Sequence, residues 1–201
     1  MLQVKQIVNE IFTSNTYILF DDEYDYCWLV DIGEYKKVAD ALPPKMEIRG
    51  VLLTHTHFDH IYGINELYQA WPNINVYTSE FGSEALYDAR INLSRYHLVP
   101  IEYKGKNICI LKDQEAIEIF PRTILVTYET PGHSPCCLTF NVEDKWFTGD
   151  AYIPGVKIVT KLPRGDRKTA LLSKERITTL ANGQFVCPGH GECIIFVTEN
   201  Q

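Results

Sequence analysis

The sequence lacks any CxxC pair, the cysteine spacing that zinc ribbons and dithiol oxidoreductases commonly use. Its six cysteines are scattered over 201 residues, and two of them are adjacent, so they make a poor disulfide framework. They are Cys27, Cys109, Cys136, Cys137, Cys187 and Cys193. Cysteines in such an arrangement fit a reducing compartment, and we expect the protein to be cytoplasmic.

Positive charge and long apolar segments are also scarce. The net charge is -7 and the pI is about 5.4, whereas nucleic-acid binders usually carry a basic surface. The first residues lack a signal-peptide core, and no apolar run approaches the roughly 18 residues that a membrane helix needs. We therefore expect a small-molecule partner and neither a nucleic acid nor a membrane, while the sequence leaves the oligomeric state open.

No repeat or Gly/Ser-rich linker divides the chain, so we expect one domain over residues 1–201. Strand-like and helix-like patterns alternate along it. Strands are predicted at residues 16–20, 27–31, 50–54, 108–111, 116–119, 124–128, 137–141, 145–148, 184–187 and 193–197. Helices are predicted at residues 34–42, 61–71 and 167–181, the last of them capped by Asp166.

The predicted strands fall into two groups, and each group has helices at its edges. For such an α/β pattern the economical packing is two sheets face to face with the helices outside. The apolar run at residues 50–54 also has the character of a strand buried on both faces. We therefore predict a four-layer αββα sandwich of two mixed β-sheets.

The strongest chemical signal is the segment HTHFDH at residues 55–60, directly after that buried strand and directly before a helix. A strand end is a rigid mount, and a sharp loop there lets several side chains converge on one point. Three imidazoles and one carboxylate in this short segment supply nitrogen and oxygen donors that suit Zn²⁺ and similar ions. The segment therefore predicts metal binding.

Three further strand ends each add a candidate ligand. His133 lies in a Pro-Gly turn, Asp150 follows Gly149, which permits a tight turn, and His190 lies in a Gly-rich loop between the last two predicted strands. Each signal is weak alone, because a His or Asp beside glycine is usually only a turn residue. Together with the first segment they account for every histidine except His97, for which a surface or packing role is favoured.

The ordered set HTHFDH, GH, GD and GHG resembles the metallo-β-lactamase superfamily, and within it most of all the glyoxalase II-like hydrolases. The segments SNTYIL at residues 14–19 and LVDIG at residues 29–33 also resemble the start of that fold. The resemblance spans essentially the whole chain and implies that Asp31 is structural or supports a metal ligand. All seven ligand positions of the family are filled, which argues against a degenerate relative without catalysis.

The resemblance implies two metal ions per chain, zinc in the first place and iron or manganese as alternatives. His55, His57 and His133 would bind one ion, Asp59, His60 and His190 would bind the other, and Asp150 would bridge both. A hydroxide between the two ions would attack the carbonyl carbon of a small thioester, lactone or ester. Asp59 and Asp150 are therefore expected to be catalytic, Asp59 by orienting the hydroxide.

One departure from glyoxalase II concerns the end of the chain. Glyoxalase II continues past its last histidine into a helical domain that helps hold glutathione, whereas this chain ends at residue 201, shortly after His190. We therefore expect a short form without that domain, for which the resemblance does not name the substrate.

Two other functions stay open. One is a persulfide dioxygenase, which uses the same fold with a single iron bound by two histidines and one carboxylate. The other is a metal-binding protein without catalysis, in which a closed coordination shell is expected. The complete second ligand set, which includes Asp59 and His190, favours the hydrolase.

Clues to the substrate lie after the expected bridging aspartate. Seven Lys and Arg residues stand against two acidic residues between residues 157 and 176. One interpretation is a cationic rim, including Lys161 and Arg164, that attracts an anionic substrate. The other, which is favoured, is a solvated helix face. Tyr152 is a further candidate contact to a substrate oxygen, by resemblance to lactonase relatives.

Overall fold

The computed structural model describes residues 1–97 and 99–197. The strands of its first sheet are β1 (Gln3–Val8), β2 (Asn15–Phe20), β3 (Tyr26–Val30), β4 (Glu47–Leu52), β5 (Asn75–Thr78) and β6 (Ile108–Ile110). They lie side by side in chain order. The pairs β1–β2 and β2–β3 are antiparallel, whereas β3, β4, β5 and β6 pair in parallel, so the sheet is mixed.

The second sheet is built from the remainder of the chain. Its strands are β7 (Ala116–Phe120), β8 (Thr123–Glu129), β9 (Leu138–Val142), β10 (Lys145–Gly149), β11 (Phe185–Pro188) and β12 (Ile194–Ile195). The spatial order is β12-β11-β10-β9-β8-β7, and the pair β10 and β11 is parallel while the other neighbours are antiparallel. This sheet is therefore also mixed.

Five helices accompany the sheets in the described part of the chain. They are α1 (Tyr35–Ala41), α2 (Phe58–Ile61), α3 (Ile64–Ala70), α4 (Glu80–Ala85) and α5 (Arg167–Leu180), with a 3-10 turn at Ser94–Tyr96. The side chain of Asp166 caps α5 by accepting a hydrogen bond from the Thr169 N–H, as predicted. None of the helices in these residues is long and apolar enough to cross a membrane.

Successive side chains along a strand point to opposite faces of the sheet, and this alternation divides the core into layers. In β3, Val30 packs between the sheets with Phe140 of β9, whereas its neighbour Leu29 packs on the opposite face with Leu67 of α3. A third cluster places Ile177 of α5 against the outer face of the second sheet. Helices therefore cover both outer faces, and the predicted four-layer αββα sandwich is confirmed.

The helix predicted at residues 61–71 is the clearest correction. The structure has two helices there, α2 and α3, with a break at Gly63. The Gly63 N–H donates to the Ile32 carbonyl, and the Asp59 carbonyl accepts a hydrogen bond from the Ser14 hydroxyl. Because both groups are bound outside the helix, the backbone bond that would join the two helices does not form.

Other differences concern short elements. The structure adds β1, β5, α4 and the 3-10 turn, and it begins β4 before the predicted residue 50. It shortens the strand predicted at residues 193–197 to β12. Strand β5 and the 3-10 turn are too brief for an apolar pattern to distinguish them from loops, and β1 is an edge strand with only one buried residue.

Candidate metal centre

Three histidines from the two sheets meet in the interior. His55 and His57 lie in the loop between β4 and α2, and His133 lies in the turn after β8. The Leu138 N–H at the start of β9 donates to the Thr54 carbonyl at 2.7 Å. This bond joins the loop after β4 in the first sheet to β9 in the second. One ring nitrogen from each histidine lies within 4.8 Å of the others, as expected of donors around one ion.

A second group lies beside the first. Asp59 and His60 lie on α2, and His190 lies in the loop after β11. Their ligand atoms also lie within 4.8 Å of one another. Asp59 Oδ2 is 3.4 Å from His60 Nε2 and 3.3 Å from His190 Nε2. The helix and the loop thus direct three donors at one point.

Asp150, directly after β10, faces both groups. Its Oδ1 lies 3.5 Å from His60 Nε2 and 3.4 Å from His190 Nε2, while its Oδ2 lies 3.5 Å from His133 Nε2. Each carboxylate oxygen therefore points to a different group. The structure brings all seven sequence-predicted ligand residues to one centre and gives Asp150 the place between them.

Glycine 189 makes this approach possible. A Cβ at this residue would overlap Asp150 Oδ1 and would lie 3.0 Å from the His60 ring. The loop after β11 therefore passes close enough to bring His190 to Asp150 only because the residue has no side chain.

The outer ring nitrogens of His133 and His190 are held by backbone carbonyls. His133 Nδ1–H donates to the Val159 carbonyl at 2.8 Å, and His190 Nδ1–H donates to the Phe12 carbonyl at 3.0 Å. These bonds fix the tautomer of each ring in its neutral form, so that Nε2 is the nitrogen available to a metal ion at the centre. Sequence reasoning missed both partners, because a backbone carbonyl carries no side-chain signal.

Asp31 organises the other side. It accepts hydrogen bonds from the Thr54 N–H and hydroxyl, both at 2.7 Å, and from His60 Nδ1–H at 2.9 Å. Since the Thr54 hydroxyl proton is committed to Asp31, its oxygen is free to accept from His55 Nδ1–H at 3.2 Å. One buried carboxylate thereby orients two imidazoles. Asp31 adopts a positive φ of 59°, a conformation that Asp and Asn tolerate better than most residues.

Buried polar residues of β2 support the His190 loop. The Asn15 amide donates to the carbonyls of Pro188 and Gly191, and the Tyr17 hydroxyl donates to the Pro188 carbonyl at 2.7 Å. Asn15 is the first residue of β2, directly before its apolar part, and is fully buried, so its polar side chain needs partners.

Burial and nearby charges shift the pKa values of the imidazoles in opposite directions. Burial, with the charge of His133, lowers the pKa of His57 to about 3, so that the ring is neutral near pH 7. Burial also opposes charge on His190, but its contacts with Asp150 and Asp59 raise the pKa to about 9. Burial opposes charge on Asp150 as well, and His60 outweighs it, so the pKa of that carboxyl is well below its usual range. The carboxylates thus attract positive charge at the centre.

Unpartnered buried atoms test whether metal ions fit. Within the described residues, His55 Nε2, His60 Nε2 and Asp150 Oδ1 are buried without a hydrogen-bond partner. Such atoms are costly unless something binds them. All three face the centre, and all belong to donor types that divalent metals use. The residues present therefore fit metal ions, with His55, His57 and His133 on one side and Asp59, His60 and His190 on the other.

The three predicted substrate contacts are not among the residues whose donor atoms meet at the centre. The ring of Tyr152 is buried beside Ile177 in the cluster under α5. Lys161 is exposed, and the Arg164 guanidinium lies 5.2 Å above the Phe81 ring. A role in substrate binding stays a prediction for these three residues.

Two further sequence interpretations concern packing. The His97 ring stacks on Phe58 at 4.0 Å between centroids, as a packing histidine would. Cys136 and Cys137 are both buried, and burial raises the pKa of the Cys137 thiol well above its usual value. Neither observation suggests a reactive side chain outside the centre.

Comparisons with known proteins agree with this geometry. The family model of the metallo-beta-lactamase superfamily matches residues 12–190 of this chain. The probable metallo-hydrolase YqgX of Bacillus subtilis (strain 168) is 33% identical over 192 residues, which are 92% of this chain and 89% of that protein. A hydroxyacylglutathione hydrolase of Xylella fastidiosa (strain M12) is 32% identical over 162 residues, which are 81% of this chain and 54% of that protein.

A solved structure gives the same result. The BLEG-1 B3 metallo-beta-lactamase superposes with a TM-score of 0.86 at 26% sequence identity, over 96% of this chain and 93% of that one. The resemblance predicted from the sequence is confirmed, and the fold that it names implies divalent metal ions. The chain belongs to the metallo-β-lactamase superfamily.

Proposed function

We propose that the protein is a dinuclear metal-dependent hydrolase that cleaves a small thioester, lactone or ester. The observation that carries the proposal is the position of Asp150. One of its oxygens faces His133, and the other faces His60 and His190. A carboxylate shared in this way is what a pair of cations requires for charge balance.

The metal ions and the residues around them would have different roles in hydrolysis. Divalent metal ions, when bound, acidify water and polarise a carbonyl oxygen, so hydrolysis needs no side-chain nucleophile. Asp59, with its side chain 13% exposed, is suited to orient a water molecule by accepting a hydrogen bond from it. The buried imidazoles of His55 and His57 close the opposite side against bulk water.

The metal identity and the compartment belong to the same proposal. Imidazole and carboxylate donors suit zinc, with iron and manganese as alternatives. We infer zinc as the ion in the active protein. All six cysteines are free in the structure, which supports a reducing compartment such as the cytoplasm.

The test is a panel of thioesters, lactones and esters under anaerobic conditions, with metal content measured on the same sample. The proposal expects cleavage of at least one class without oxygen, by protein that holds close to two metal ions per chain. A persulfide dioxygenase would instead consume oxygen with one iron per chain. A protein that binds metal tightly yet cleaves nothing in the panel would support the non-catalytic alternative.

A further inference from the structure

A cavity of about 540 Å³ opens directly beside the metal centre. Asp150 and His190 line it, so the cavity reaches the donors of the centre. The other lining residues are Ile153, Pro154, Val156, Val159, Pro188, Gly191, Glu192 and Ile194. The cavity is therefore continuous with the proposed reaction site.

The walls of this cavity are mostly apolar. Val156 and Val159 are 55% and 50% exposed, although both belong to an aliphatic residue type that is usually buried. Exposed apolar side chains grouped at the edge of a site mark a ligand-binding groove. Among the described lining residues none is Lys or Arg, and Glu192 adds a negative charge. An anionic substituent would find no lysine or arginine in these walls.

The wall is also coupled to the centre. The Val159 carbonyl accepts the hydrogen bond that orients His133, so the segment that shapes the cavity also positions a metal ligand. Val156 lines the same cavity three residues earlier without that backbone role. A substitution at Val156 therefore changes the wall of the cavity without altering the residue that holds His133.

We propose that this cavity binds an uncharged aliphatic or aromatic substituent of the substrate, so that Ile153, Val156, Val159 and Ile194 determine specificity. The inference rests on the proposed hydrolase and names its substrate class: hydrophobic esters, thioesters or lactones. It differs from the anionic substrate that the Lys and Arg excess of residues 157–176 predicts.

The test uses two ester series, one with an acyl chain that lengthens from acetyl to octanoyl and one with a lengthening alcohol. In at least one series kcat/KM should rise by about 2- to 4-fold per methylene, the upper value corresponding to about 0.8 kcal/mol for full burial. A hemisuccinate ester should be a poorer substrate than its butanoyl counterpart. Flat dependence in both series, or preference for the hemisuccinate, would overturn the inference.

Two variants localise the effect. Val156→Asp should flatten the dependence on chain length, because a carboxylate in the wall disfavours methylenes. Leu171→Asp is the matched control, since Leu171 on α5 is also 55% exposed but is not among the lining residues. Thermal unfolding of both variants checks that they fold. Equal slopes in Val156→Asp and the wild type would assign the chain-length effect to another surface.

A binding measurement separates this inference from the proposed function. Calorimetry with uncleavable N-acetyl and N-hexanoyl amides should show tighter binding of the longer chain, by a factor that Val156→Asp removes. If no ester is cleaved but this difference persists, the hydrolase proposal fails and the apolar site stands. If esters are cleaved and the two amides bind equally, the apolar site fails and the hydrolase stands.

Discussion

The two halves of the metal centre differ in how they are held. The three-histidine group is deeply buried, with His55, His57 and His133 exposed by 0%, 6% and 3%. In the second group, the side chain of His190 is 24% exposed and that of Asp59 is 13% exposed. The second group also depends on distant chain segments, since Phe12 and His190 are 178 residues apart in sequence.

This difference has a thermodynamic consequence. The buried group depends on the loops after β4 and β8 and on the bond from His133 to the Val159 carbonyl, and its low exposure shields it from bulk water. The second group requires the loops at Phe12 and His190 to be in place, and loops open more readily than strands. We therefore expect the second ion to exchange faster and to bind more weakly than the first.

Removing the Asp150 side chain should weaken both halves of the metal centre, because that residue belongs to both. Asp150→Ala leaves two cations without their shared carboxylate. We expect activity to fall by at least about 100-fold, since loss of a mere outer partner of a ligand already costs 10- to 100-fold. Both metal equivalents should become weaker, as measured by dialysis against a chelator. If the variant keeps both ions and full turnover, the assignment of Asp150 as the bridging ligand is contradicted.

Single histidine variants should separate the halves. His190→Ala is expected to lose about one of two metal equivalents and to keep the buried ion. His133→Ala should lose metal and activity together, because it removes a ligand from the buried group. Elemental analysis and turnover check both, with His97→Ala as the control for a histidine outside the centre. Unaltered metal content and turnover in His133→Ala would contradict the three-histidine assignment.

Asp31 offers a smaller and more selective change. Asp31→Asn keeps the size of the side chain and tolerates the positive φ, but it weakens the hydrogen bond that orients His60. Metal affinity of the second position should fall by about 10- to 100-fold, while the fold is retained. Metal titration followed by thermal unfolding measures the two separately. An equal loss at both positions would indicate that Asp31 supports the centre as a whole, through Thr54 and His55.

The basic segment outside both halves should have the smallest effect. Lys161→Ala and Arg164→Ala should change kcat/KM for a neutral ester by no more than about 2-fold, because exposed charges contribute little. If the segment recruits anions, KM for an anionic ester should rise in these variants, and more at low ionic strength. The salt dependence of KM decides between the two interpretations.

Sequence and structure agree where chemistry depends on side chains. The HTHFDH segment, His133, Asp150 and His190 could be identified because each carries a donor at a strand end. Carbonyl partners such as those of Phe12 and Val159 could not, because any residue supplies the same group.

The fold shows the same division. Strands β2, β3 and β7 to β10 have clear apolar patterns and were predicted to within a few residues. The break at Gly63 depends instead on a hydrogen bond from Ser14, which lies 45 residues before the carbonyl it binds. The cavity walls likewise depend on the path of the segment after Asp150, which local patterns do not determine.

The most direct test of the central claim is a metal titration of chelator-treated protein, with turnover followed anaerobically at each step. We predict that close to two zinc ions bind per chain in two distinguishable steps, and that ester or thioester cleavage reaches its maximum only after the second. Saturation at one iron per chain, with oxygen consumption on a persulfide substrate and no anaerobic cleavage, would contradict it.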